Sequence, residues 1–189
     1  SGTGITNTAT GAFDPATAGV GTFTITYTIG GMCGDIQTTN ITINNLLDPT
    51  ITPAGPFCES NVAITMTAVD GGGTWSGTGI TNAATGTFDP ATAGPGTYTI
   101  TYTIGGSCGS VDTENVTVNP DMDATITPAG PFCPNDPAVI LVGVDGGGTW
   151  SGTGITNTAT GAFDPATAGV GTFTITYTIG GMCGDIQTS

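Results

Sequence analysis

The chain contains no lysine, no arginine and no histidine. Each absence removes a class of chemistry. Without cations there is nothing to release counterions from a phosphate backbone, which excludes nucleic-acid binding. An anionic membrane surface repels such a chain. Without imidazole there is no Ser-His-Asp triad and no ordinary zinc site. Without lysine there is no Schiff base, and without either cation there is no phosphate clamp. Charged residues make up 7% of the chain, all fourteen of them Asp or Glu, and the formal net charge is −14. No side-chain ion pair can form, so stability must come from apolar burial, backbone hydrogen bonds and disulfides. Mean hydropathy is positive because lysine and arginine are missing. The apolar runs are far shorter than the ~20 residues a spanning helix needs, and no membrane insertion is expected.

Threonine (41) and glycine (33) supply 74 of the 189 residues. They are arranged in repeats. Ser1-Gly2-Thr3-Gly4-Ile5-Thr6 recurs at Ser76 and at Ser151, a period of 75 residues. Residues 1–38 match 76–113 at 30 of 38 positions and match 151–188 at all 38. Alternate copies are therefore more alike than neighbours, which predicts a 150-residue super-repeat and a segment drawn from a longer chain. The least periodic stretches, Asn44–Pro49 and Asn119–Asp123, are rich in Asn, Pro and Asp and mark the boundaries. The expected division is the C-terminal half of one domain (1–45), a whole domain (46–120) and a domain lacking its last strand (121–189).

Strands dominate the pattern. In Thr22–Ile29, Thr97–Ile104 and Thr172–Ile179, threonine alternates strictly with Phe, Tyr or Ile. One face is then apolar and the other is covered with threonine, as in a half-buried antiparallel strand. The complete domain reads as six or seven strands: Thr50–Thr52, Val62–Val69, Gly73–Ile80, Thr85–Phe88, Thr97–Ile104 and Val111–Val118, with a seventh near Thr81–Ala84. Trp75, Phe88, Tyr98, Ile100 and Tyr102 form the expected core, faced by Ile64 and Met66. No segment carries a 3.6-residue period. The fold class is all-β, a tandem array of small immunoglobulin-like β-sandwich domains.

Gly96–Thr103 resembles the penultimate strand of PKD-like and other immunoglobulin-like bacterial domains. The larger pattern joins Pro56-Phe57-Cys58, Gly73–Gly79 and Phe88–Gly94. It is similar to the repeats of very long surface proteins of gliding bacteria, namely gliding adhesins and related filaments exported by the type IX route. The resemblance spans the whole chain. It implies an extracellular, cell-surface protein with a mechanical role: a filament, stalk or adhesin shaft. Tyr98 can form a tyrosine-corner-like hydrogen bond, but Phe23 and Phe173 at the same repeat position cannot.

Five cysteines stand at 33, 58, 108, 133 and 183, with spacings alternating between 25 and 50. Without C-x-x-C or histidine they do not read as a zinc site. Two disulfide registers are open. One pairs Cys58 with Cys108 and Cys133 with Cys183 inside single domains, leaving Cys33 to a partner outside the segment. The other pairs Cys33 with Cys58 and Cys108 with Cys133 across adjacent domains. With six alternating strands Cys58 and Cys108 fall at the same end of the domain, and with seven at opposite ends. The intradomain register is the expected one.

The remaining motifs read as scaffold. Gly71–Gly73 with Gly77-Thr78-Gly79 lacks the lysine and helix of a phosphate loop. Asp14, Asp89 and Asp164 precede prolines in repeated turns, and Asp70 and Asp145 open Gly-rich turns, the usual places for turn caps. Glycoside hydrolysis needs two carboxylates facing across a cleft, so no catalytic residue and no cofactor is assigned. Calcium is the more serious metal alternative, through Asp121 and Asp123 with Asp112 or Glu114 near a domain junction, although Leu46-Leu47-Asp48 replaces Asp121-Met122-Asp123 at the other junction. Asn40 and Asn115 fit the N-glycosylation pattern, but on strands. Ala138–Val142 is apolar where the preceding repeat alternates. Ile140 and Val142 replace Thr65 and Thr67, which marks a lateral contact patch. The expected partners are copies of the chain in a homo-oligomeric fibre, or neighbouring repeats of one long chain. Direct adhesion of the repeats to a glycan or surface is the alternative.

Overall fold

The Thr-Tyr-Thr-Ile alternation builds the longest hairpin of the middle segment. In a computed structural model, which describes residues 1–189, Gly96–Ile104 pairs antiparallel with Ser110–Asn119, from Gly96 opposite Val118 to Ile104 opposite Ser110. Ile100, Tyr102 and Ile104 turn inward and are buried. The outer face carries cross-strand polar pairs instead. Thr97 and Thr117 hydroxyls lie 3.1 Å apart, and Thr99 Oγ1 donates to Asn115 Oδ1 at 2.9 Å. Such pairs each add a fraction of the sheet's stability without needing charge.

Two sheets enclose the core. One holds, in order, Phe57–Cys58, Ser110–Asn119, Gly96–Ile104 and Thr74–Ser76. The other holds Ile64–Thr65, Thr87–Phe88 and Ile80–Asn82. Between them lie Ile51, Met66, Trp75, Phe88, Ile100, Tyr102, Ile104, Val116 and Val118. This is an all-β, immunoglobulin-like sandwich. Tyr98 and Ile64, expected in the core, pack at its margin and are half-buried. The Tyr98 hydroxyl donates to Ala93 O at 2.7 Å, the corner-like bond its position suggested.

Trp75 and Tyr102 hold the centre together, with ring centroids 4.5 Å apart. The Tyr102 hydroxyl donates to Asp70 O at 3.0 Å and accepts from Gly73 N at 2.8 Å. The Asp70–Gly73 turn is thus tied to a buried phenol. A Cβ on Gly73 would stand 2.6 Å from the Tyr102 ring, so the turn closes only over glycine. Trp150, Tyr177, Asp145 and Gly148 repeat the device, with centroids 4.3 Å apart and hydroxyl bonds of 2.8 and 2.9 Å.

Several expectations change in detail. Gly73–Ile80 is not one strand. It breaks at Gly77–Gly79 into Thr74–Ser76 in one sheet and Ile80–Asn82 in the other. Gly77 (φ +138°) and Gly79 (φ +87°) let the chain cross between sheets. Residues Pro90–Ala93 form one helical turn in place of a simple turn, because Asp89 caps it and proline occupies its first position. The extra strand expected near Thr81–Ala84 is this Ile80–Asn82. Thr50–Thr52 gives only a single bridge from Ile51 to Ala68, Val62–Val69 shortens to Ile64–Thr65, and Phe57–Cys58 adds a strand the sequence pattern did not mark.

A second core holds Ala124, Leu141, Trp150, Phe163, Ile175, Tyr177 and Ile179. Residues 1–43 keep only the rear elements, the hairpin Gly21–Ile29 with Asp35–Ile43, the pair Ile5–Asn7 with Ala12–Phe13 and the helical turn Pro15–Ala18. Tyr27 is 68% exposed where its counterpart Tyr102 is 3% exposed, because no equivalents of Ile51, Met66 and Trp75 cover it.

Phe88, fully buried between the sheets, is expected to cost about 3–5 kcal/mol when replaced by alanine. Thr103→Ala on the outer face is expected to stay within about 0.5 kcal/mol. Denaturant unfolding of both variants checks the assignment of faces.

Candidate functional site

The cysteines converge where the middle segment meets the next one. Phe57–Cys58 runs parallel to the end of Ser110–Asn119, with Phe57 opposite Val118 and Cys58 opposite Asn119. This short strand carries Cys58, near the start of its segment in sequence, to the far end of the sandwich. There it bonds to Cys183, 125 residues later in sequence, in the turn before Ile186–Thr188. The expected pairs Cys58–Cys108 and Cys133–Cys183 are therefore not formed, and neither are Cys33–Cys58 and Cys108–Cys133. Cys33, Cys108 and Cys133 are free thiols. The reason is topological. The Cys108 turn lies at the opposite end of the sandwich from Cys58, where its sulfur is 3.9 Å from Asn44 O.

Backbone and side-chain hydrogen bonds surround the bridge. Cys58 N donates to Asn61 Oδ1 at 2.8 Å, Glu59 N to Asn119 O at 3.0 Å, and Met122 N to Cys183 O at 2.9 Å. Ser60 Oγ donates to Asp121 Oδ1 at 3.0 Å. Asp121 lies close enough to both sulfurs to form a three-ligand cluster with them. Sulfurs joined to each other, however, are not thiolate ligands. Asp123 faces elsewhere and accepts from Thr125 N at 2.8 Å. Asp121 and Asp123 thus serve different partners. Asp112 is likewise engaged, accepting from Ile51 N at 2.9 Å.

That last contact shows a compensation between repeats. Asp185 accepts from Ala124 N at 3.1 Å. The repeat counterpart of Ala124 is Pro49, which has no N–H to give. In the middle segment the donor moves two residues on, to Ile51. The acceptor moves two residues along its strand as well, from the position of Asp185 (Ser110) to Asp112. A two-residue step keeps the carboxylate on the same face of the strand. Both junctions therefore keep a carboxylate from the hairpin on a backbone N–H of the entering chain.

Most of the other acidic residues are caps. Asp14, Asp89 and Asp164 accept from Ala16, Ala91 and Ala166 N at 3.0–3.1 Å and from Thr17, Thr92 and Thr167 hydroxyls at 2.6–2.7 Å. The threonine hydroxyl, then the backbone N–H, holds the Asp14 and Asp164 carboxyls below their ordinary range. Thr50 and Thr125 do the same for Asp48 and Asp123. Asp70 and Asp145 accept from Asp48 N and Asp123 N, each at 2.8 Å. Gly71–Gly73 closes over Tyr102 rather than over an anion. Asn40 and Asn115 are strand residues bonded to Thr24 and Thr99 hydroxyls.

Ile140 and Val142 are 60% and 56% exposed and lie beside Val144 at 57%, while Leu141 between them is buried. They form an outward apolar stripe. A groove of about 500 Å³ opens elsewhere in the same segment, lined by Phe132, Leu141, Phe163, Phe173 and Ile175. The corresponding place in the middle segment is filled by Val116 and Val118. The feature that sequence reasoning missed is the Phe57–Cys58 strand. Its signal was faint: a two-residue strand directly after a proline, ahead of a turn closed by Asn61.

No family model matches the chain, and no curated protein matches it. Among solved structures, mouse cadherin-23 EC22-24 is similar at 16% identity, covering 89% of this chain and 72% of that one, with a TM-score of 0.30. That likeness assigns neither family nor function.

Replacing Cys58 with serine is expected to cost up to about 5 kcal/mol, the chain-entropy value for a loop of this length, whereas Cys108→Ser is expected to be near neutral. Denaturant unfolding with and without reductant distinguishes this from the intradomain register, in which Cys108→Ser would be as costly as Cys58→Ser. Acid is expected to destabilise the fold as well. The carboxyls of Asp14, Asp48, Asp123 and Asp164 lie below 3.8 when folded. Their contribution is present above that value and is lost as pH falls through the folded pKa values. In carboxyl NMR titrations, Thr125→Ala should return Asp123 towards 3.8. An unchanged midpoint would mean that the threonine hydroxyl is not what lowers it.

Proposed function

We propose that the chain is a stretch of shaft from an extracellular filament, stalk or adhesin, of the kind built by very long type IX-secreted surface proteins of gliding bacteria, and that its role is mechanical rather than catalytic. The observation that carries this reading is the junction at Asn119–Asp123. Two cores, one on either side, are joined there by the Cys58–Cys183 bridge and by backbone hydrogen bonds from Glu59 and Met122. A disulfide persists in an oxidising compartment, which supports an extracellular location. No helix is long and apolar enough to cross a membrane. Most of the carboxylates are engaged as caps, and the two tryptophans, the side chains best suited to stacking on a sugar, are buried. Both facts favour a shaft over a glycan-binding repeat.

Copies of the chain are the proposed lateral partners. Ile140 and Val142 replace Thr65 and Thr67 of the preceding repeat, beside a valine common to both repeats (Val144 and Val69), and exposed apolar residues of that kind mark a contact site. Small-angle scattering is expected to give an elongated particle, and a compact globule would sink the shaft reading. Light scattering on a sizing column is expected to show an oligomer that disperses with Ile140→Thr combined with Val142→Thr. A monomer from the outset would leave a single-chain array and remove the stripe from the account.

A further inference from the structure

The three free cysteines follow from the same rule that makes the one bridge. The cysteines fall into two kinds. Cys58 and Cys133 each follow a Pro-Phe pair near the start of a repeat, and Cys33, Cys108 and Cys183 each sit in the turn of the long hairpin. The observed bridge joins a Pro-Phe-Cys cysteine to the hairpin cysteine 125 residues further on. Within the sequence that relation is satisfied once, by Cys58 and Cys183. For Cys108 and Cys33 the corresponding position lies 125 residues upstream, and for Cys133 it lies 125 residues downstream. None of these positions falls within residues 1–189.

We propose that Cys108 is the hairpin half of a second junction disulfide, and that its seat is built to receive a Phe-Cys strand laid parallel beside Ile43 and Asn44. This rests on the array reading above and specifies how its units are joined. Three observations place the seat. Cys108 Sγ is 3.9 Å from Asn44 O, and Asn44 is the repeat counterpart of Asn119, the residue beside which Cys58 lies. The edge of Asp35–Ile43 that corresponds to the parallel pairing of Val118 with Phe57 carries no strand. Phe57 packs on Phe88 at 5.8 Å, and the counterpart of Phe88 is Phe13, which is only half-buried. The first junction thus offers a thiol, a free strand edge and an aromatic surface, in the arrangement that Phe57 and Cys58 occupy at the second.

The ligand is a β-strand bearing Phe-Cys, and recognition is by strand addition with one side-chain anchor. Its covalent step is thiol–disulfide exchange. The Cys108 thiolate attacks the cysteine sulfur of an incoming mixed disulfide, one S–S bond forms as another breaks, and the leaving thiolate departs with the electron pair. No net oxidation occurs.

The test uses the whole chain and a synthetic peptide of the sequence Ala54–Asn61, supplied as its mixed disulfide with glutathione. Products are mapped after cleavage at aspartate, since the chain has no trypsin sites. Oxidised glutathione alone is expected to modify the exposed Cys33 and Cys133 ahead of the half-buried Cys108. The peptide is expected to reverse that order, favouring Cys108 by at least about tenfold through its local concentration at the seat. A peptide carrying Phe57→Ser should lose the preference. If the native peptide distributes among the three thiols as glutathione does, the proposal is overturned. The same map reports the Cys58–Cys183 bridge. Its absence would undo the stapled-junction reading itself, whereas its presence without a Cys108 preference would reject only the second seat.

Discussion

The arrangement of this protein depends on two residues paired in the unexpected direction. Phe57–Cys58 lies parallel to the end of Ser110–Asn119 in a sandwich whose other pairings are antiparallel. The parallel step moves a cysteine from the entry of one segment to its exit. It also drops Phe57 onto Phe88, beside the fully buried Val116 and Val118. With an antiparallel first strand, Cys58 would sit at the Cys108 end and the segment would close on itself. As built, the segment reaches forward and holds the next one.

The lack of cations shapes everything else. A carboxylate in this chain has no guanidinium or ammonium side chain to meet, so its oxygens are available to backbone N–H groups and threonine hydroxyls. That is what Asp14, Asp89 and Asp164 do at the helical turns, and what Asp70, Asp112, Asp145 and Asp185 do at the junctions. The Ile51–Asp112 and Ala124–Asp185 pairs show how closely the sequence tracks this need. Where proline deletes a donor, donor and acceptor shift together.

Much of this was legible from residues alone. The Thr-Tyr-Thr-Ile alternation placed the long hairpin, because a period of two admits only one inward set. Trp75, Phe88, Ile100 and Tyr102 were identifiable as core for the same reason. The cap role of Asp89 followed from the proline after it. What stayed hidden depended on non-local geometry. Two residues such as Phe57 and Cys58 have no periodicity, and no spacing rule tells parallel from antiparallel pairing. The disulfide register inherited that ambiguity. The break at Gly77–Gly79 was also masked, since a run of β-formers on both sides of the glycines reads as one strand until the crossing between sheets is seen. The contrast between Ile140 and Thr65 was visible in sequence, and its exposure on one face became visible only with Leu141 buried beneath it.

The Cys58–Cys183 bridge changes what pulling on the chain would do. Tension applied across it passes through one sulfur–sulfur bond and bypasses the residues between, which if unravelled would lengthen the chain by roughly 400 Å. Both cores lie largely within that shielded stretch, so thermal or chemical unfolding of either would not lengthen the molecule. If each junction carries the same link, the load divides between two interleaved paths that together touch only the 25 residues from a hairpin cysteine to the next Pro-Phe-Cys cysteine, such as Cys33 to Cys58 and Cys108 to Cys133, once in every 75. About two-thirds of the polypeptide would then be off the force path. Such a cable could lose its folded domains one by one and scarcely stretch.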